Sequence, residues 1–508
     1  MTRTLIFLAM FTTFSETHGA KIMMFTVFGT KSTMNSFQIF AESLAKRGHE
    51  ITYVTREKLV KNATPNISYV LIPDRVKFDE MSTTVFGDSI WSTFPLYMEG
   101  YMKFAIRQCA SAYEEDDVDA ILSLKGKIDL LVFDFYLQEC FVPYIYALDV
   151  PTVLLHGNTP EFLATQTLQI PVPIPYVNTF FYQMPKERSF LSRVWNTFAH
   201  LVERETYSLW LYPAVGKLAS QKIKDLPDAE GILQNSSVML AAFDTAWNHA
   251  RPMTPVTVDI AGFHCRPPNQ LPQNLENAIA EAGDNGFILF AMGTFFDAQY
   301  FPPGYQETFL SVFSKLKQTV IWKNSPLKNQ PPNVKTYPWL PQQDLLGHPK
   351  ARLFITHGGL YSLHEAVYHG VPMLGIGIFG DQIGNLNAAA DKGIAINLDK
   401  TTITADSLLR AINSLLTEPK YKANSQRMSS LQQDQPQTAL ERAIYAVEYV
   451  LRHKGATHLK GSNLNLNFIE YFCLDVIFCI IIGTIIFFAM LIFVVKAVVK
   501  IVSKKSIS

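Results

Sequence analysis

Short apolar runs that alternate with helical patterns place the strongest constraint on the fold of this chain. In its second half, the apolar runs cover residues 287–292, 319–322, 333–336, 352–356 and 373–378. Helical spacing lies between them, as at 305–317, 361–369 and 382–392. Short continuous apolar runs are typical of parallel strands that are buried on both faces. The alternation therefore predicts a doubly wound α/β sheet whose ligands bind at the carboxyl ends of the strands.

The first half shows the same α/β pattern in a less regular form. Its apolar runs cover residues 21–27, 50–54, 128–133 and 152–155, and a helical pattern covers 37–46. The following stretch, from residue 158 to residue 231, is irregular and rich in aromatic side chains such as Tyr182, Trp195 and Trp210. We predict a pocket for a small molecule in that stretch.

Length and punctuation divide the chain into two domains. With 508 residues it is too long for a single core. The Pro/Asn-rich stretch 265–284 is typical of an interdomain linker. We therefore predict an N-terminal domain over residues 20–264 and a C-terminal domain over residues 285–455.

Both ends of the chain carry apolar segments. Residues 1–19 place Arg3 before an apolar stretch and small residues before position 20, which is the pattern of a cleaved signal peptide. Residues 476–495 contain no charge and are long enough to cross a bilayer. By the positive-inside rule, the lysine-rich tail 496–508 is cytoplasmic and 456–475 is a juxtamembrane segment. The pattern predicts a single-pass type I protein whose two domains face a lumen.

Charge, sequons and cysteines narrow the class of protein further. Lys+Arg and Asp+Glu both number 44, and no basic cluster precedes the last residues, which argues against a nucleic-acid partner. Sequons at Asn62, Asn66 and Asn235 are candidate glycosylation sites in a lumenal domain. Three cysteines lie outside the membrane region, so at least one of them is expected to stay unpaired.

A glycine-rich turn follows the predicted strand at 352–356. Gly358 and Gly359 separate this strand from a helix that starts near residue 361. Such a turn offers bare backbone N–H groups and the positive end of the helix dipole, which suits a diphosphate. His357, at the start of the turn, adds another donor. The arrangement predicts a phosphate-binding site.

Further polar and aromatic residues surround this turn in the sequence. Glu365 lies one helical turn further on and can accept hydrogen bonds from ribose hydroxyls. Asp381 and Gln382 follow the next strand and can bind sugar hydroxyls. Trp339 offers a flat face to a base. Together these residues predict a nucleotide-sugar site at the carboxyl edge of the second sheet.

The same stretch resembles the signature of the UDP-glycosyltransferase family, which includes the UDP-glucuronosyltransferases. The matching sequence is WLPQQDLLGHPKARLFITHGGLYSLHEA at 339–366, continued by GVPM at 370–373 and FGDQ at 379–382. FAMGT at 290–294 is similar to the family's phosphate-contacting turn, with Thr294 where serine is usual. Tyr361 and Ser362 stand where animal members often have Asn-Gly, as in an invertebrate-type signature, and Tyr361 removes an amide that could help to hold phosphate.

The resemblance implies a GT-B fold, in which two facing Rossmann-like domains hold the acceptor in the first and the UDP-sugar in the second. It implies donor contacts from Thr294, Trp339, Gln342, His357, Gly358, Gly359, Ser362, Glu365, Asp381 and Gln382. In these roles Trp339 stacks on uracil, His357 meets the diphosphate and Glu365 holds the ribose, while Gln342 binds nearby. The UDP-sugar is a co-substrate, and no further cofactor is implied.

The resemblance also implies a cellular role and place. The expected reaction is inverting transfer of glucose or glucuronate to a small lipophilic acceptor, a detoxification chemistry in the endoplasmic reticulum membrane. Homo-oligomers and hetero-oligomers with family members both remain open. Lys504 and Lys505 are similar to a dilysine retrieval signal of that compartment, but their spacing from the end of the chain differs by one residue.

The family's catalytic histidine is missing from this chain. Counting from Gly48 and His49, the position of that histidine falls on Thr33, and no histidine occurs between residues 20 and 48. A histidine near neutral pH is typically worth roughly 10²–10⁴-fold as a general base, whereas a threonine hydroxyl is too weakly basic. The aspartate that would support the histidine is identified as Asp134.

Three outcomes of this loss remain open. Amine acceptors need no strong base, because a neutral amine is already nucleophilic. Asp134 can act directly or through water. Alternatively, the protein is a non-catalytic member of the family that serves as a binding or partner subunit. Because the count places the missing histidine at Thr33, Thr33→His is expected to raise transfer to phenols and alcohols.

Two metal-like patterns are set aside. His364 and His369 are five positions apart and do not share a helix face, unlike the i, i+4 histidines of zinc helices. An Asp-x-Asp at 117–119 lies in an acidic run far from the nucleotide motif and is better explained as a solvated helix face. The sequence therefore predicts no metal site.

Overall fold

A computed structural model describes most of the chain. The described residues are 19–59, 64–72, 94–113, 117–135, 138–157, 168, 170–179, 184, 188–243, 246–247, 250–293, 301, 304–378, 380–461, 466 and 468–505. The chain divides into two compact units, Met1–Leu459 and Lys460–Ser508. The predicted signal peptide lies outside the described residues, apart from its last position.

The first sheet of the larger unit consists of seven strands in the described part of the chain. They are β1 (Lys21–Thr26), β2 (Glu50–Thr55), β3 (Ile67–Leu71), β4 (Leu130–Asp134), β5 (Thr152–His156), β6 (Val238–Ala241) and β7 (Thr257–Asp259). Their order is β3-β2-β1-β4-β5-β6-β7, and every hydrogen-bonded pair is parallel. The strand order reverses between β1 and β4. In a doubly wound sheet, the ligand-binding crevice lies outside the carboxyl ends of the strands at such a reversal.

Two apolar clusters cover the faces of this sheet. The helices are α1 (Lys31–Lys46), α2 (Phe94–Tyr113), α3 (Asp117–Leu122), α4 (Val142–Leu148), α5 (Phe190–Thr206), α6 (Tyr212–Ala219) and α7 (Ala229–Gln234), with a π-helical turn at Tyr207–Leu211. Helices α2, α4 and α6 belong to one cluster, and α1 belongs to the other. A disulfide between Cys109 and Cys140 ties α2 to the segment before α4, while Cys265 forms no disulfide in the part of the chain that the structure describes.

The second sheet confirms the predicted parallel strands of the second half. Its strands are β8 (Phe287–Ala291), β9 (Thr319–Lys323), β10 (Val334–Tyr337), β11 (Ala351–Thr356), β12 (Met373–Gly375) and β13 (Ala395–Asn397), in the order β10-β9-β8-β11-β12-β13. The accompanying helices are α8 (Gln273–Ala280), α9 (Tyr305–Phe313), α10 (Gln342–Leu346), α11 (Leu360–Tyr368), α12 (Gln382–Asp391), α13 (Ala405–Thr417) and α14 (Pro419–Gln433). All of the described strand pairs are parallel.

One further helix, α15 (Ala439–Arg452), packs on the first sheet although it follows the second in sequence. Its buried side chains, including Val447 and Val450, join the cluster that also contains α1. Arg47 at the end of α1 donates from Nε and Nη2 to the two oxygens of Glu448, at 2.9 and 2.8 Å. Through its apolar face and this bidentate ion pair, α15 packs against the first domain.

Some element boundaries differ from those predicted. Helix α1 starts at Lys31 rather than residue 37, because the Thr30 hydroxyl caps it by accepting from the Thr33 N–H at 3.1 Å. Strand β3 lies at the sheet edge with exposed and half-buried residues, and it was not predicted although residues 69–72 form a short apolar run. The predicted linker 265–284 contains α8.

The smaller unit contains α16 (Phe468–Tyr471) and the long helix α17 (Leu474–Lys505). The part from Leu474 to Lys500 contains an 18-residue window with a mean hydropathy of 3.1 and is long and apolar enough to cross a membrane. The predicted span 476–495 lies inside this range.

Candidate functional site

A cavity of about 340 Å³ opens between the carboxyl edges of the two sheets, a size that is usual for small-molecule sites. The first domain contributes the loop after β1 and the start of α1. The second contributes the segments that follow β8 to β12. The sequence-predicted residues that line the cavity are Thr33, Trp339, Gln342, His357, Gly359, Ser362, Glu365, Asp381 and Gln382.

The glycine turn after β11 holds His357 in a fixed place. Gly358 has a φ of +89°, and a Cβ there would lie 2.5 Å from Leu386, so only glycine fits. A Cβ at Gly359 or Gly293 would lie 2.5 or 2.8 Å from Nε2 of His357. Burial, and then the charge of Lys323, lower the pKa of His357 to about 3. The imidazole is therefore neutral at physiological pH and has one N–H to donate.

A short hydrogen-bond network joins α10 to α11. Nε2 of Gln342 donates to Oγ of Ser362 at 2.9 Å and to Oε2 of Glu365 at 2.7 Å. Nε2 of His264 lies 3.7 Å from the other oxygen of Glu365. Burial raises the pKa of Glu365 to about 7, against the opposing effects of Gln342 and Arg266. This carboxyl group therefore changes charge near neutral pH.

Asp381 and Gln382 lie at the start of α12. Asn385 donates to Oδ2 of Asp381 at 2.7 Å and to the carbonyl of Gly358 at 3.2 Å, so one amide connects α12 to the glycine turn. Burial raises the pKa of Asp381 to about 6. The Gln382 side-chain oxygen accepts from the N–H of Ile378 at 2.9 Å, which fixes the end of the loop after β12.

Trp339 presents an open indole face at the cavity. Its side chain is 60% exposed, and the ammonium of Lys323 lies 5.8 Å from its ring centre. Lys323 also donates to the carbonyl of Gly293 and lines the cavity. Lys323 and Arg266, another basic lining residue, were not predicted from the sequence. A basic residue at the carboxyl end of a predicted strand was the available signal for Lys323.

Thr33 and Asp134 occupy different depths on the side of the first domain. Thr33 lines the cavity in the first turn of α1, and its hydroxyl lies 3.1 Å from that of Thr30. Asp134, at the end of β4, is fully buried, and its Oδ2 accepts from the Thr26 hydroxyl at 2.7 Å. The carboxyl group thus lies behind the cavity wall.

The structure describes only some of the remaining predicted residues. Thr294, Asn62 and Tyr182 lie outside the described residues. Asn66 and Asn235 are exposed. Trp195 and Trp210 have exposed fractions of 61% and 64%, so they do not form the pocket expected in their stretch.

Comparison with known proteins gives relatives that span most of the chain. It is 30% identical over 463 residues to UDP-glycosyltransferase UGT5 of Dactylopius coccus, which covers 89% of this chain and 86% of that protein. It is also 30% identical over 475 residues to UDP-glucuronosyltransferase 2A3 of Homo sapiens, which covers 87% of this chain and 86% of that protein.

Solved structures support the fold. Spinosyn forosaminyltransferase SpnP superposes with a TM-score of 0.58 at 17% identity, covering 86% of this chain and 100% of its own. Glycosyltransferase VinC, solved in complex with dTDP, gives a TM-score of 0.58 at 16% identity, covering 85% and 100%. The two parallel sheets and these neighbours confirm the expected GT-B fold. The family model "UDP-glucoronosyl and UDP-glucosyl transferase" matches residues 21–506, and with relatives that cover most of its length the chain belongs to this family of transferases.

Proposed function

We propose that the protein transfers glucose or glucuronate from a UDP-sugar to a small lipophilic acceptor, with inversion at the anomeric carbon. The observation that carries the proposal is the single cavity in which the predicted donor-binding residues of α10, α11 and α12 converge. An acceptor would enter from the side of α1, so that donor and acceptor meet between the two sheets.

The donor would be held by groups of complementary charge. The free N–H groups at the start of α11 and the neutral His357 would donate to the diphosphate, and Lys323 would add a positive charge beside it. Glu365 and Gln342 would bind the ribose, and the open face of Trp339 would stack on uracil. Asp381 and Gln382 would accept and donate at the sugar hydroxyls.

The acceptor chemistry follows from the residue at position 33. An amine attacks the anomeric carbon with its own lone pair while UDP leaves from the opposite face, and the new ammonium then loses a proton. An alcohol needs its proton removed as it attacks, which Thr33 cannot do. We therefore propose a bias towards amines, with Asp134 as a base only through water or a rearrangement that exposes it.

A non-catalytic binding or partner subunit is the second candidate. The observation that favours it is the burial of Asp134. Among the described residues that line the cavity near α1, the polar ones are Thr30, Lys31, Ser32, Thr33 and Asn35, and these include no imidazole or carboxyl group.

We further propose that the protein is a type I protein of the endoplasmic reticulum membrane with its domains in the lumen. The apolar helix α17 supports an anchor, and the disulfide between Cys109 and Cys140 suits an oxidising compartment. Asn62, Asn66 and Asn235 would carry glycans, and detoxification of lipophilic compounds would be the role. Both homo- and hetero-oligomers are compatible with this placement.

The test is incubation of the full-length protein in lipid nanodiscs with UDP-glucose or UDP-glucuronate and a panel of amines and phenols. Products are identified by mass spectrometry, and donor affinity is measured by calorimetry on the same preparation. We expect amine conjugates of one sugar in excess over phenol conjugates. His357→Ala should weaken donor binding, and Ser220→Ala, on a turn remote from the cavity, serves as the control.

The possible results separate the candidates. Donor binding without any product would favour the non-catalytic subunit. A lack of UDP-sugar affinity, or an affinity that His357→Ala and Trp339→Ala leave unchanged, would remove the basis of both.

A further inference from the structure

Tyr361 reaches from the second domain into the first. It is the second residue of α11, and its backbone carbonyl lies 3.2 Å from Nε2 of His264. Its ring lies edge-on to His264 and Phe263, with ring centres 4.9 and 6.4 Å apart. The ring packs against the apolar cluster that contains α1 and the first sheet. Its backbone therefore belongs to the donor side, while its side chain belongs to the acceptor side.

The hydroxyl of Tyr361 reaches the carboxyl edge of the first sheet at Gly157, just after β5, the strand that pairs with the end of β4 at Asp134. Burial, followed by the negative charge of Asp134, raises the pKa of the phenol, while a contact with Ser36 opposes this shift. Burial, followed by the charges of Asp134 and Tyr361, also raises the pKa of Tyr53 on β2. The phenol is therefore neutral at physiological pH.

The backbone around the phenol leaves no spare room. A Cβ at Gly157, just after β5, would lie 1.9 Å from the Tyr361 oxygen and 2.8 Å from its Cζ. Atoms this close cannot coexist, so a side chain at position 157 would force the phenol or the nearby backbone to shift.

Thr33 and the phenol share one small region. Ser36 lies one turn beyond Thr33, and both face inward from α1. Thr33 and Tyr361 line the same cavity. Asp134 and its partner Thr26 lie at the carboxyl edge from which α1 starts. A longer side chain at position 33 that turned towards this edge would therefore enter the region that the phenol occupies.

We propose that Tyr361 is a specificity-determining residue, because its phenol fills the space beside Asp134 that a base on α1 would need. The inference rests on the proposed transferase function and refines it. The acceptor preference depends on two positions, 33 and 361, rather than on position 33 alone. The effect of Thr33→His is therefore conditional on the residue at 361.

The test is a set of four enzymes: the natural protein, Thr33→His, Tyr361→Asn and the double variant. For each, kcat/KM is measured with a phenol and an aromatic amine across pH 5–9. We expect Thr33→His alone to change phenol transfer by less than about 3-fold. The double variant should gain at least about 10-fold, within the roughly 10²–10⁴-fold worth of a general base, and show a new ionisation near pH 6.5.

Tyr361→Phe is the matched control, since it keeps the ring and removes only the hydroxyl. Combined with Thr33→His, it should leave phenol transfer low, because the ring still fills the space. A full gain from Thr33→His alone, or a double variant equal to the product of the two single effects, would overturn the proposal.

A second measurement tests the placement of the phenol without reference to turnover. Gly157→Ala should lower the midpoint of thermal unfolding by about 2–4 °C in the natural protein and have little effect in the Tyr361→Asn background. An equal loss in both backgrounds would contradict the placement. If donor binding and this stability pattern both hold while no variant makes product, the transferase function fails and the geometry stands.

Discussion

The charges of two residues in the cavity, Glu365 and Asp381, depend on pH. Burial raises the pKa values of these carboxyl groups to about 7 and about 6. Because both values are raised in the fold, the groups favour the ligand-free fold most at low pH. That contribution is lost as the pH rises through about 6 to 7. Hydroxyl groups of a bound ligand that donate hydrogen bonds to these two carboxylates should stabilise their ionised form.

We therefore predict that UDP-glucose binds more tightly as the pH rises from about 5 to 8, by roughly 3–10-fold, because binding favours ionised Glu365. Calorimetry across this range measures the effect, and this ligand has no phosphate group that titrates near neutrality. Glu365→Gln should flatten the profile, whereas Glu307→Gln, exposed on α9, should leave it intact. An unchanged slope in Glu365→Gln would assign the titration to another group.

The glycine turn yields a second prediction at this scale. Gly359→Ala would push a methyl group into the imidazole of His357, so we expect donor affinity to fall by at least about 10-fold while the protein stays folded. Gly216→Ala in α6 is the matched control, because a Cβ there meets no atom within 4 Å. It should leave binding unchanged and raise stability by roughly 0.5–1 kcal/mol. Equal affinities for the two variants would argue against a binding role of the turn.

The site residues inside the motif could be predicted from the sequence, whereas the contacts that they make with residues from other parts of the chain could not. His357, Glu365 and Asp381 follow strands of a readable pattern, so their convergence at one edge could be predicted. The direction of Tyr361 could not, because its contacts with the first domain depend on how the two sheets face each other. Lys323 was missed since it ends an apolar strand outside the motif.

Among the elements, the strands of the second sheet were the most predictable. Strands such as β8 are buried along their whole length, and this burial is what continuous apolar runs record. Strand β3 lies at an edge, and its side chains are exposed or half-buried even though residues 69–72 are apolar. Helix α8 was hidden by the Pro/Asn-rich stretch that surrounds it. The apolar face of α15 is readable, but nothing in its pattern says which sheet it covers.

Helix α15 gives the prediction at the element scale. Val447→Ala removes side-chain volume from the fully buried face against the first sheet, and we expect the free energy of unfolding to fall by about 1–3 kcal/mol. UDP-sugar affinity should be unaffected, since the donor residues lie on other elements. Chemical denaturation and calorimetry measure both quantities, with Tyr445→Ala on the exposed face of α15 as the control. A loss of donor affinity that matched the loss of stability would show that α15 supports the second domain instead.

At the scale of the whole molecule, the proposed membrane orientation predicts on which side of the membrane the larger unit lies. If α17 crosses the membrane with the lysines on the cytoplasmic side, the whole of the larger unit is lumenal. Asn66 and Asn235 are exposed in that unit, so both should be accessible to glycosylation.

We predict that the full-length protein made in a eukaryotic cell migrates faster on a gel after endoglycosidase treatment. Asn66→Gln and Asn235→Gln should each remove one glycan and reduce the shift. Asn397→Gln, which changes an asparagine outside any sequon, is the control. A protein whose migration the enzyme does not change would contradict the lumenal orientation.

The return of α15 to the first sheet has a practical consequence for hybrid enzymes. A chimera that exchanges acceptor halves between relatives at a single crossover near residue 265 would join α15 from one parent to the sheet of the other, and mismatch Arg47 with Glu448. Hybrids should therefore be built with two crossovers, so that residues 438–456 travel with the N-terminal half.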